Sequence, residues 1–283
     1  ELKKEYGERS IIFMQVGSFI EVYGKKDNNT NEISGSEIVD FKNICEFNMK
    51  EKSGAKTSDN FNIVMAGFPD YLIDKYTDKL VEHQYTVAVY KQEKQEKNTN
   101  RYLQVIASPG THMSSNTLDC ISNYIMCIKV KITKESILYP KRIIIGVSTL
   151  DIINGDCNVC EYSEDYARKN KAYDSLERYF TTYKPAELIV LYDQSEYEKE
   201  ELEYVLQSLN AKNIKFHILH NNDNNHLSVY ITKSEKQKYQ EDCISTFYNT
   251  EEVHAFLDKH RLGDIRMALS SFVFLLNFVY IHD

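Results

Sequence analysis

Apolar and polar residues alternate between residues 12 and 23, and this period of two predicts a strand with one apolar face. The even positions are expected to face the core, and the odd positions form a mixed face. On such a strand Phe19 and Glu21 would project in the same direction, about 6 to 7 Å apart. The even positions are Ile12, Met14, Val16, Ile20 and Val22. The odd positions are Phe13, Gln15, Gly17, Phe19, Glu21 and Tyr23.

Further strand and helix patterns follow before residue 113. Residues 63–69 form an apolar strand pattern that leads into a helix pattern at 72–80, and residues 85–92 form another strand pattern. A third strand pattern at 101–107 runs into residues 108–111, Ser-Pro-Gly-Thr, in which Pro-Gly marks a turn. This order of strand, helix and strand predicts an α/β domain.

The motifs in these segments resemble the N-terminal mismatch-recognition domain of the MutS family of DNA mismatch-repair proteins. In that family a strand ends in Gly-Asp-Phe-Tyr-Glu, a Met-Ala-Gly-x-Pro segment opens a helix, a Tyr-x-Val-Ala strand follows, and Ser-Pro-Gly-Thr closes the domain. The resemblance covers residues 1 to about 113, and it departs where Ser18 replaces the family's Asp and Ile20 its Tyr. The matching residues are Gly17, Phe19, Glu21, Met65, Ala66, Gly67, Pro69, Tyr85, Val87, Ala88, Gln92 and Ser108 to Thr111.

The resemblance implies DNA mismatch recognition, in which Phe19 wedges into the base stack at a mispair and Glu21 contacts the displaced base. Taken alone, residues 17–24 would more often place an aromatic strand residue such as Phe19 against a helix. The functional interpretation therefore depends on all the motifs together. Further contacts with the DNA backbone or groove are expected from Val16, Gly17, Ser18 and Gly67.

The second part of the chain alternates in the same way. Residues 143–161 predict a hairpin, followed by a helix at 173–183 and a buried strand at 185–191. A helix at 196–209 and a strand at 214–219 continue the order, which predicts a mixed sheet with helices packed on it. The hairpin resembles the connector domain of the MutS family, and this resemblance implies a ribonuclease-H-like fold.

The last stretch, residues 265–281, is apolar around most of its circumference. Its length is near the lower limit for crossing a membrane and it contains Arg266 and Asn277, so it predicts a buried helix. The resemblance implies that a helical lever domain starts here, and the core of this helix is expected to lie outside the chain. The expected parts of a longer protein are a mismatch-recognition domain at 1–113, a connector domain at 114–240 and the start of a helical core or lever domain at 241–283.

Two alternative functions stay open. A ribonuclease-H-like domain can be a nuclease that cuts nucleic acid with metal-bound carboxylates. Against this, Asp151 matches a residue of the non-catalytic connector domain. The other alternative is an interaction module, whose connector domain docks a MutL-type partner without any mismatch binding. The candidate carboxylates for a nuclease are Asp151, Asp156, Glu161 and Asp193.

Charge argues against a strongly basic DNA-binding surface, because the chain has a formal net charge of -8. Residues 1–113 contain 15 basic and 17 acidic residues, and residues 114–283 contain 19 and 25. We therefore expect few phosphate contacts and weak DNA binding by this chain. In the family, the resemblance implies, a separate clamp domain grips the DNA backbone.

Cofactor motifs are missing from the sequence. No Gly-x-x-x-x-Gly-Lys-Ser/Thr motif occurs, so this segment is not expected to be an enzyme. The resemblance implies a full-length, dimeric, DNA-dependent ATPase that uses ATP and magnesium in a domain beyond residue 283. Cys157 and Cys160 form a lone CxxC, but on a strand their side chains would face opposite ways, and no second cysteine or histidine pair stands at zinc-finger spacing, so no metal site is predicted. Six scattered cysteines favour an intracellular reducing compartment, whether cytoplasmic, nuclear, organellar or viral, and no membrane partner is expected.

Overall fold

In a computed structural model the chain forms two compact units. The first unit comprises residues 1–119 with the last two residues, and the second comprises residues 120–281. The structure describes residue 7 and residues 9–58, 60–94, 99–113, 122–133, 140–192, 202, 205–207, 209, 211, 214–221 and 225–282.

Within the described residues, the first unit contains a mixed sheet of seven strands with helices packed against it. Its elements are β1 (Ser10–Val16), β2 (Phe19–Asp27), β3 (Ile33–Ser34), α1 (Ile38–Cys45), β4 (Lys50–Ser58), β5 (Phe61–Pro69), α2 (Ile73–Glu82), β6 (Thr86–Lys94) and β7 (Thr99–Ala107). The strand order is β4-β5-β2-β1-β6-β7, with β3 beside β2. Strands β1 and β6 are parallel and the other pairs are antiparallel, so the β1–β2 hairpin lies in the middle of the sheet.

An aromatic core lies between this sheet and its helices. The ring of Phe13 in β1 lies edge-on to Phe41 of α1 and to Phe68 of β5, with ring centroids 5.8 and 5.2 Å apart. The ring of Tyr76 in α2 also contacts Phe68, with ring centroids 4.6 Å apart. Edge-to-face and tilted contacts at these distances stabilise a core beyond the burial of area alone.

The alternation expected for residues 12–23 is correct for β2 and wrong for β1. In β1 the fully buried side chains stand at odd positions, including Phe13. The cause is a two-residue turn at 17–18, which makes two strands out of the expected single one and pairs Val16 with Phe19. With a turn of this length, even-numbered residues of β1 are paired with odd-numbered residues of β2. The apolar even residues of β1 therefore share a sheet face with Phe19 and Glu21, opposite the core.

The second unit contains, in its described part, a mixed sheet of five strands in the order β10-β9-β8-β11-β12. Its elements are β8 (Tyr124–Ile132), β9 (Arg142–Asp151), β10 (Cys157–Asp165), α3 (Lys169–Tyr183), β11 (Glu187–Tyr192), β12 (Lys215–His220), α4 (Ser228–Ser234), α5 (Gln237–Tyr248), α6 (Val253–Lys259) and α7 (Arg266–His282). Strands β8, β11 and β12 are parallel, and β8, β9 and β10 form antiparallel pairs.

These two sheets with their helices confirm the α/β class. The expected hairpin is β9 and β10, and the expected strands at 185–191 and 214–219 are β11 and β12. Most of the helix expected at 196–209 lies outside the described residues. The ribonuclease-H-like assignment, the lever domain and the three domain boundaries stay predictions.

Helix α7 is the expected apolar helix, and it is buried within the second unit. Phe272, Val273 and Leu276 are at most 3% exposed and belong to one apolar cluster with Ile125 of β8 and Ile189 of β11. A buried helix is thus confirmed, but the expectation that its core lies outside the chain is wrong, because the sheet of the second unit supplies that core. In the described part of the chain, no helix is long and apolar enough to cross a membrane.

Gly146 of β9 allows α7 to approach the sheet closely. A Cβ atom at this position would lie 2.3 Å from the carbonyl carbon of Met267 and 2.4 Å from the nitrogen of Ala268. We expect Gly146→Ala to lower the free energy of unfolding by about 1 to 3 kcal/mol, because the helix backbone must shift. Urea denaturation measures this change. The matched control is Gly263→Ala, whose added Cβ meets nothing within 4 Å, and equal losses in both variants would contradict the explanation.

Candidate nucleic-acid interface

The tip of the β1–β2 hairpin presents Phe19 to solvent. Gly17 has a φ of +63°, and Ser18 is not among the residues with positive φ, which is the pattern of a type II′ turn. Glycine suits the first central position because it adopts positive φ without a steric penalty. Phe19 follows the turn directly and remains 50% exposed, so its ring is available for contact with another molecule.

Hydrogen bonds hold the backbone of this tip on both sides. The Gly17 N–H donates to Gln92 Oε1 at 2.9 Å, and the Gln92 N–H donates to Gln15 Oε1 at 3.1 Å. On the other side, the Asp70 N–H donates to the carbonyl oxygen of Ser18 at 2.9 Å. The backbone next to Phe19 is thus fixed by hydrogen bonds to Gln92 of β6 and to Asp70 after β5. This limits the conformational entropy that Phe19 would lose on contact with another molecule.

Glu21 lies two residues further along β2 and is already paired. Its side chain is 13% exposed, and Lys52 of β4 donates to Glu21 Oε2 at 3.2 Å. The Tyr23 hydroxyl donates a hydrogen bond to the same oxygen. Lys52 also donates to the Tyr23 hydroxyl at 2.6 Å, and its ammonium lies 4.5 Å from the centre of the Tyr23 ring. These three side chains form one cluster, named here the Glu21 cluster.

Titration within the Glu21 cluster favours a charged lysine and a neutral tyrosine. Burial is the largest cause that raises the pKa of Tyr23, and the hydrogen bond to Glu21 raises it further. The hydrogen bond that Lys52 donates to Tyr23 is the main cause that raises the pKa of Lys52. At neutral pH the lysine thus carries a positive charge beside the Glu21 side chain, and it offsets the repulsion that a carboxylate would exert on phosphates.

Gly67 of β5 stands directly opposite Glu21 in the strand register. A Cβ at this position would lie 2.4 Å from the carbonyl oxygen of Ile20 and 3.4 Å from the Cα of Glu21. Pairing of β2 with β5 therefore excludes a side chain here. The expected DNA contact of Gly67 stays a prediction, and its packing role is a finding that the motif alone did not reveal.

The sequence matches two protein-family models along most of its length. MutS domain I matches residues 1–116, and MutS domain II matches residues 123–278. The chain belongs to the MutS family. Within the MutS domain I region, the geometry places Val16, Gly17, Ser18, Phe19 and Glu21 on one hairpin.

MutS proteins of viral, bacterial and archaeal origin are similar to this chain. A mutS homolog of Acanthamoeba polyphaga mimivirus is 25% identical over 87% of this chain and 22% of its own length. DNA mismatch repair protein MutS of Flavobacterium psychrophilum is 26% identical over 67% of this chain and 19% of its own. The same protein of Methanosarcina mazei is 26% identical over 67% and 20%. The chain thus spans about a fifth of the length of these relatives.

Similarity to solved structures is weak. The Fowlpox virus resolvase in complex with Holliday junction DNA is 13% identical, with a TM-score of 0.31, over 55% of this chain and 97% of that chain. T. thermophilus RuvC in complex with a Holliday junction substrate is 13% identical, with a TM-score of 0.26, over 54% and 94%. Scores this low establish no common fold.

Asp151, the first carboxylate considered for a nuclease, has a structural role in the MutS domain II region. It is fully buried at the end of β9. Its Oδ1 accepts hydrogen bonds from the N–H groups of Asn123 at 3.0 Å and Ile153 at 2.9 Å. These bonds fix the loop after β9 and the entry to β8, whereas Oδ2 of Asp151 is buried and has no hydrogen-bond partner among the described residues.

The nuclease candidates that the structure describes form no group of three carboxylates with Asp151. Glu161 accepts hydrogen bonds from the first N–H groups of α7, at 2.9 Å from Met267 and 3.3 Å from Ala268. Asp156 lies in the β9–β10 turn, where its carbonyl oxygen accepts the Asp151 N–H. Asp193 lies outside the described residues. Among those that are described, no group of three His, Cys, Asp or Glu side chains could hold a metal ion.

The sequence reasoning missed Lys52, Tyr23 and the two glutamines that fix the hairpin tip. Tyr23 could have been found, because it follows Glu21 by two residues and so shares its face. Lys52 lies in a lysine-containing segment whose sequence predicts only a solvated surface. It is brought near Glu21 by the pairing of β4 with β5 and of β5 with β2. Gln92 belonged to the family match, but nothing in the sequence linked it to Gly17.

Proposed function

We propose that the protein containing this chain recognises mismatched double-stranded DNA, with Phe19 wedging into the base stack and Glu21 contacting the displaced base. The observation that carries the proposal is a half-exposed Phe19 on a backbone-fixed hairpin tip, with Glu21 on the same sheet face. Membership of the MutS family supports it, since relatives of this chain are named as DNA mismatch repair proteins.

Discrimination would come from the deformability of the duplex. The minor groove carries a degenerate pattern of donors and acceptors, so a mispair is better detected by how easily the helix bends. An apolar wedge unstacks a base step at a cost of a few kcal/mol and kinks the duplex by roughly 20 to 90°. A mispair is already weakened and lowers that cost, so Phe19 would enter there in preference to paired DNA.

Glu21 would add a chemical criterion to this mechanical one. A carboxylate near phosphates raises the energy of the complex unless a base donates a hydrogen bond to it. In the free protein that role is filled by Lys52 and Tyr23. A displaced base must compete with them or use the second carboxylate oxygen, whereas in a paired base the Watson–Crick donors are already bonded to the partner base.

The test is the binding of the full-length protein to DNA duplexes with and without a mispair. Fluorescence anisotropy on a G·T duplex and on the matched homoduplex, at low and moderate salt, separates the base-specific contribution from the phosphate contribution. We expect tighter binding to the G·T duplex at each salt concentration. Equal affinity for the two duplexes would overturn the proposed function.

Glu21→Gln should blunt this preference and leave overall binding intact. The amide keeps the shape and one acceptor but loses the charge, and a charged hydrogen bond exceeds a neutral one by about 1 kcal/mol. We therefore expect the preference for the mispair to fall about fivefold. Glu51→Gln, on β4 of the same sheet and paired with Lys26, is the matched control for loss of one charge. An unchanged preference in Glu21→Gln would exclude a role for the carboxylate.

The rest of the family's activity is proposed for the whole protein. Its ATPase domain, with ATP and magnesium, would lie beyond residue 283, and dimerisation would involve that part. The MutS domain II region would dock a MutL-type partner. Support for these proposals comes from family membership and from the length of the relatives, of which this chain spans about a fifth.

A further inference from the structure

A cleft of about 530 Å³ in the second unit collects positive charge. Lys129 and Lys131 point into it from the same face of β8, and Arg266 reaches it from the start of α7. Glu235 is the acidic side chain in its described lining. The wall of the cleft thus carries three positive charges against one negative charge, in a chain whose formal net charge is -8.

Lys129 lies at the floor of this cleft in a directed chain of hydrogen bonds. Its ammonium donates to Ser270 Oγ at 2.7 Å and to Glu235 Oε1 at 2.6 Å. The Ser234 hydroxyl donates to the carbonyl oxygen of Ile231, so the Ser270 hydroxyl, 2.9 Å away, must donate to Ser234. Ser270 can therefore only accept from Lys129. An ammonium has three hydrogens, so the contacts of the described residues leave one for a further acceptor.

Charge balance in the cleft is poor without a bound anion. The Lys129 side chain is 7% exposed, and burial is the main cause that lowers its pKa, with the charge of Lys131 acting in the same direction. Lys131 and Arg266 make no ion pair within the described part of the chain. Glu235 is 51% exposed, so its carboxylate can leave Lys129 for solvent.

The N-terminus of α7 does not itself provide an anion site. Glu161 already accepts the N–H groups of Met267 and Ala268. Arg266 is the first residue of this helix, where the helix dipole disfavours a cation. Any anion in the cleft must therefore be held by side chains, and it would relieve the unfavourable position of Arg266.

We propose that this cleft binds a phosphate group of a nucleotide-sized ligand. Lys129 would contact it from the floor, Lys131 and Arg266 from the rim, and Glu235 would be displaced from Lys129 by the phosphate. Guanidinium and ammonium groups are the usual protein partners of phosphate, and the cleft lies within the size range of small-ligand sites. The phosphate could belong to a free small molecule or to a nucleic-acid end, since the chemistry of recognition is shared. The proposal is independent of mismatch binding by Phe19.

Isothermal titration calorimetry on the 283-residue chain tests the site with inorganic pyrophosphate and, separately, with a 5′-phosphorylated oligonucleotide. We expect saturable binding that weakens at least about tenfold in Lys131→Gln and in Arg266→Gln. Both side chains lie at the rim, so the variants should fold, which circular dichroism checks. Lys238→Gln, an exposed lysine on α5 outside the cleft, is the matched control and should bind like the wild type.

Glu235→Gln gives the sharpest test, because it removes the competing carboxylate. We expect this variant to bind pyrophosphate several-fold more tightly than the wild type. Binding of pyrophosphate alone would identify a small molecule as the source of the phosphate, and binding of the oligonucleotide alone a nucleic acid. Absence of saturable binding for both probes would overturn the proposal. Equal weakening in Lys238→Gln would show diffuse charge attraction and overturn the proposal. Weaker binding in Glu235→Gln would overturn it as well, because it would show that the carboxylate does not compete with the phosphate.

Discussion

Replacing Phe19 by alanine should remove the mismatch preference of the full-length protein and leave its affinity for paired DNA nearly unchanged. The ring is 50% exposed at the hairpin tip, so its loss should cost the fold little. A wedge that discriminates by about 1 to 3 kcal/mol corresponds to a preference of roughly five- to 150-fold. We expect the affinity of the variant for the mispaired duplex to fall to about its affinity for the homoduplex, because binding to phosphates does not involve the ring.

A matched control separates the wedge from a general loss of exposed aromatic surface. Tyr102 on the edge strand β7 is also 50% exposed, and Tyr102→Ala should retain the preference for a G·T duplex. Anisotropy titrations of the three proteins on both duplexes give the comparison, with urea denaturation to show that each variant is folded. A preference that survives in Phe19→Ala would mean that the exposed ring has another role and that recognition lies elsewhere.

The strand pattern around Phe19 could be predicted from the sequence, but the hairpin could not. A period of two fixes which residues alternate, and in β2 this correctly placed Ile20 in the core and Phe19 outside it. The pattern does not reveal that the chain reverses at Gly17, because a two-residue turn preserves an apparently continuous run of apolar residues. The consequence is a change of face: the core residue in β1 is Phe13, which alternation alone had placed outside.

Contacts between distant segments set the limit of prediction for the site. Phe19 and Glu21 lie in one short motif and could be proposed together. The Glu21 cluster needs Lys52, which is 31 positions away and arrives through the pairing of β4 with β5 and of β5 with β2. The contact of Gly17 with Gln92 spans 75 positions. Such register-dependent contacts have no local signature, so a sequence can name the reactive residue and miss the residues that position it.

The same limit explains the nuclease alternative. From the sequence alone, Asp151 and Glu161 were plausible metal ligands, because the metal ions of a nuclease are bound by carboxylates. In the structure each is used by nearby backbone N–H groups, Asp151 at the end of β9 and Glu161 at the start of α7. A carboxylate that is taken out of water needs hydrogen-bond donors. The N–H groups of loops and of helix N-termini can supply these donors, so such a carboxylate does not indicate a metal ion.

Glu187→Leu should produce the largest loss of stability in the second unit. Glu187 of β11 is fully buried, and its Oε1 lies 2.6 Å from Nε2 of His217 on the neighbouring parallel strand β12. His217 is itself buried and lies against the ring of Phe278 in α7, at 5.5 Å between ring centroids. Removing one partner of a buried polar pair strands the other, which costs about 3 to 5 kcal/mol. The loss in free energy of unfolding is measured by urea denaturation, from the unfolding transition of the second unit.

Two further variants separate the pair from the packing around it. Glu187→Gln keeps the volume and an acceptor for His217, so it should lose clearly less stability than Glu187→Leu. The double variant Glu187→Leu, His217→Leu removes both partners, and it should recover part of the loss, because a buried pair replaced by apolar groups is often neutral. Additive losses in the double variant would show that the two residues stabilise the sheet separately. In that case the 2.6 Å contact would contribute little, and burial of each side chain by itself would account for the effect.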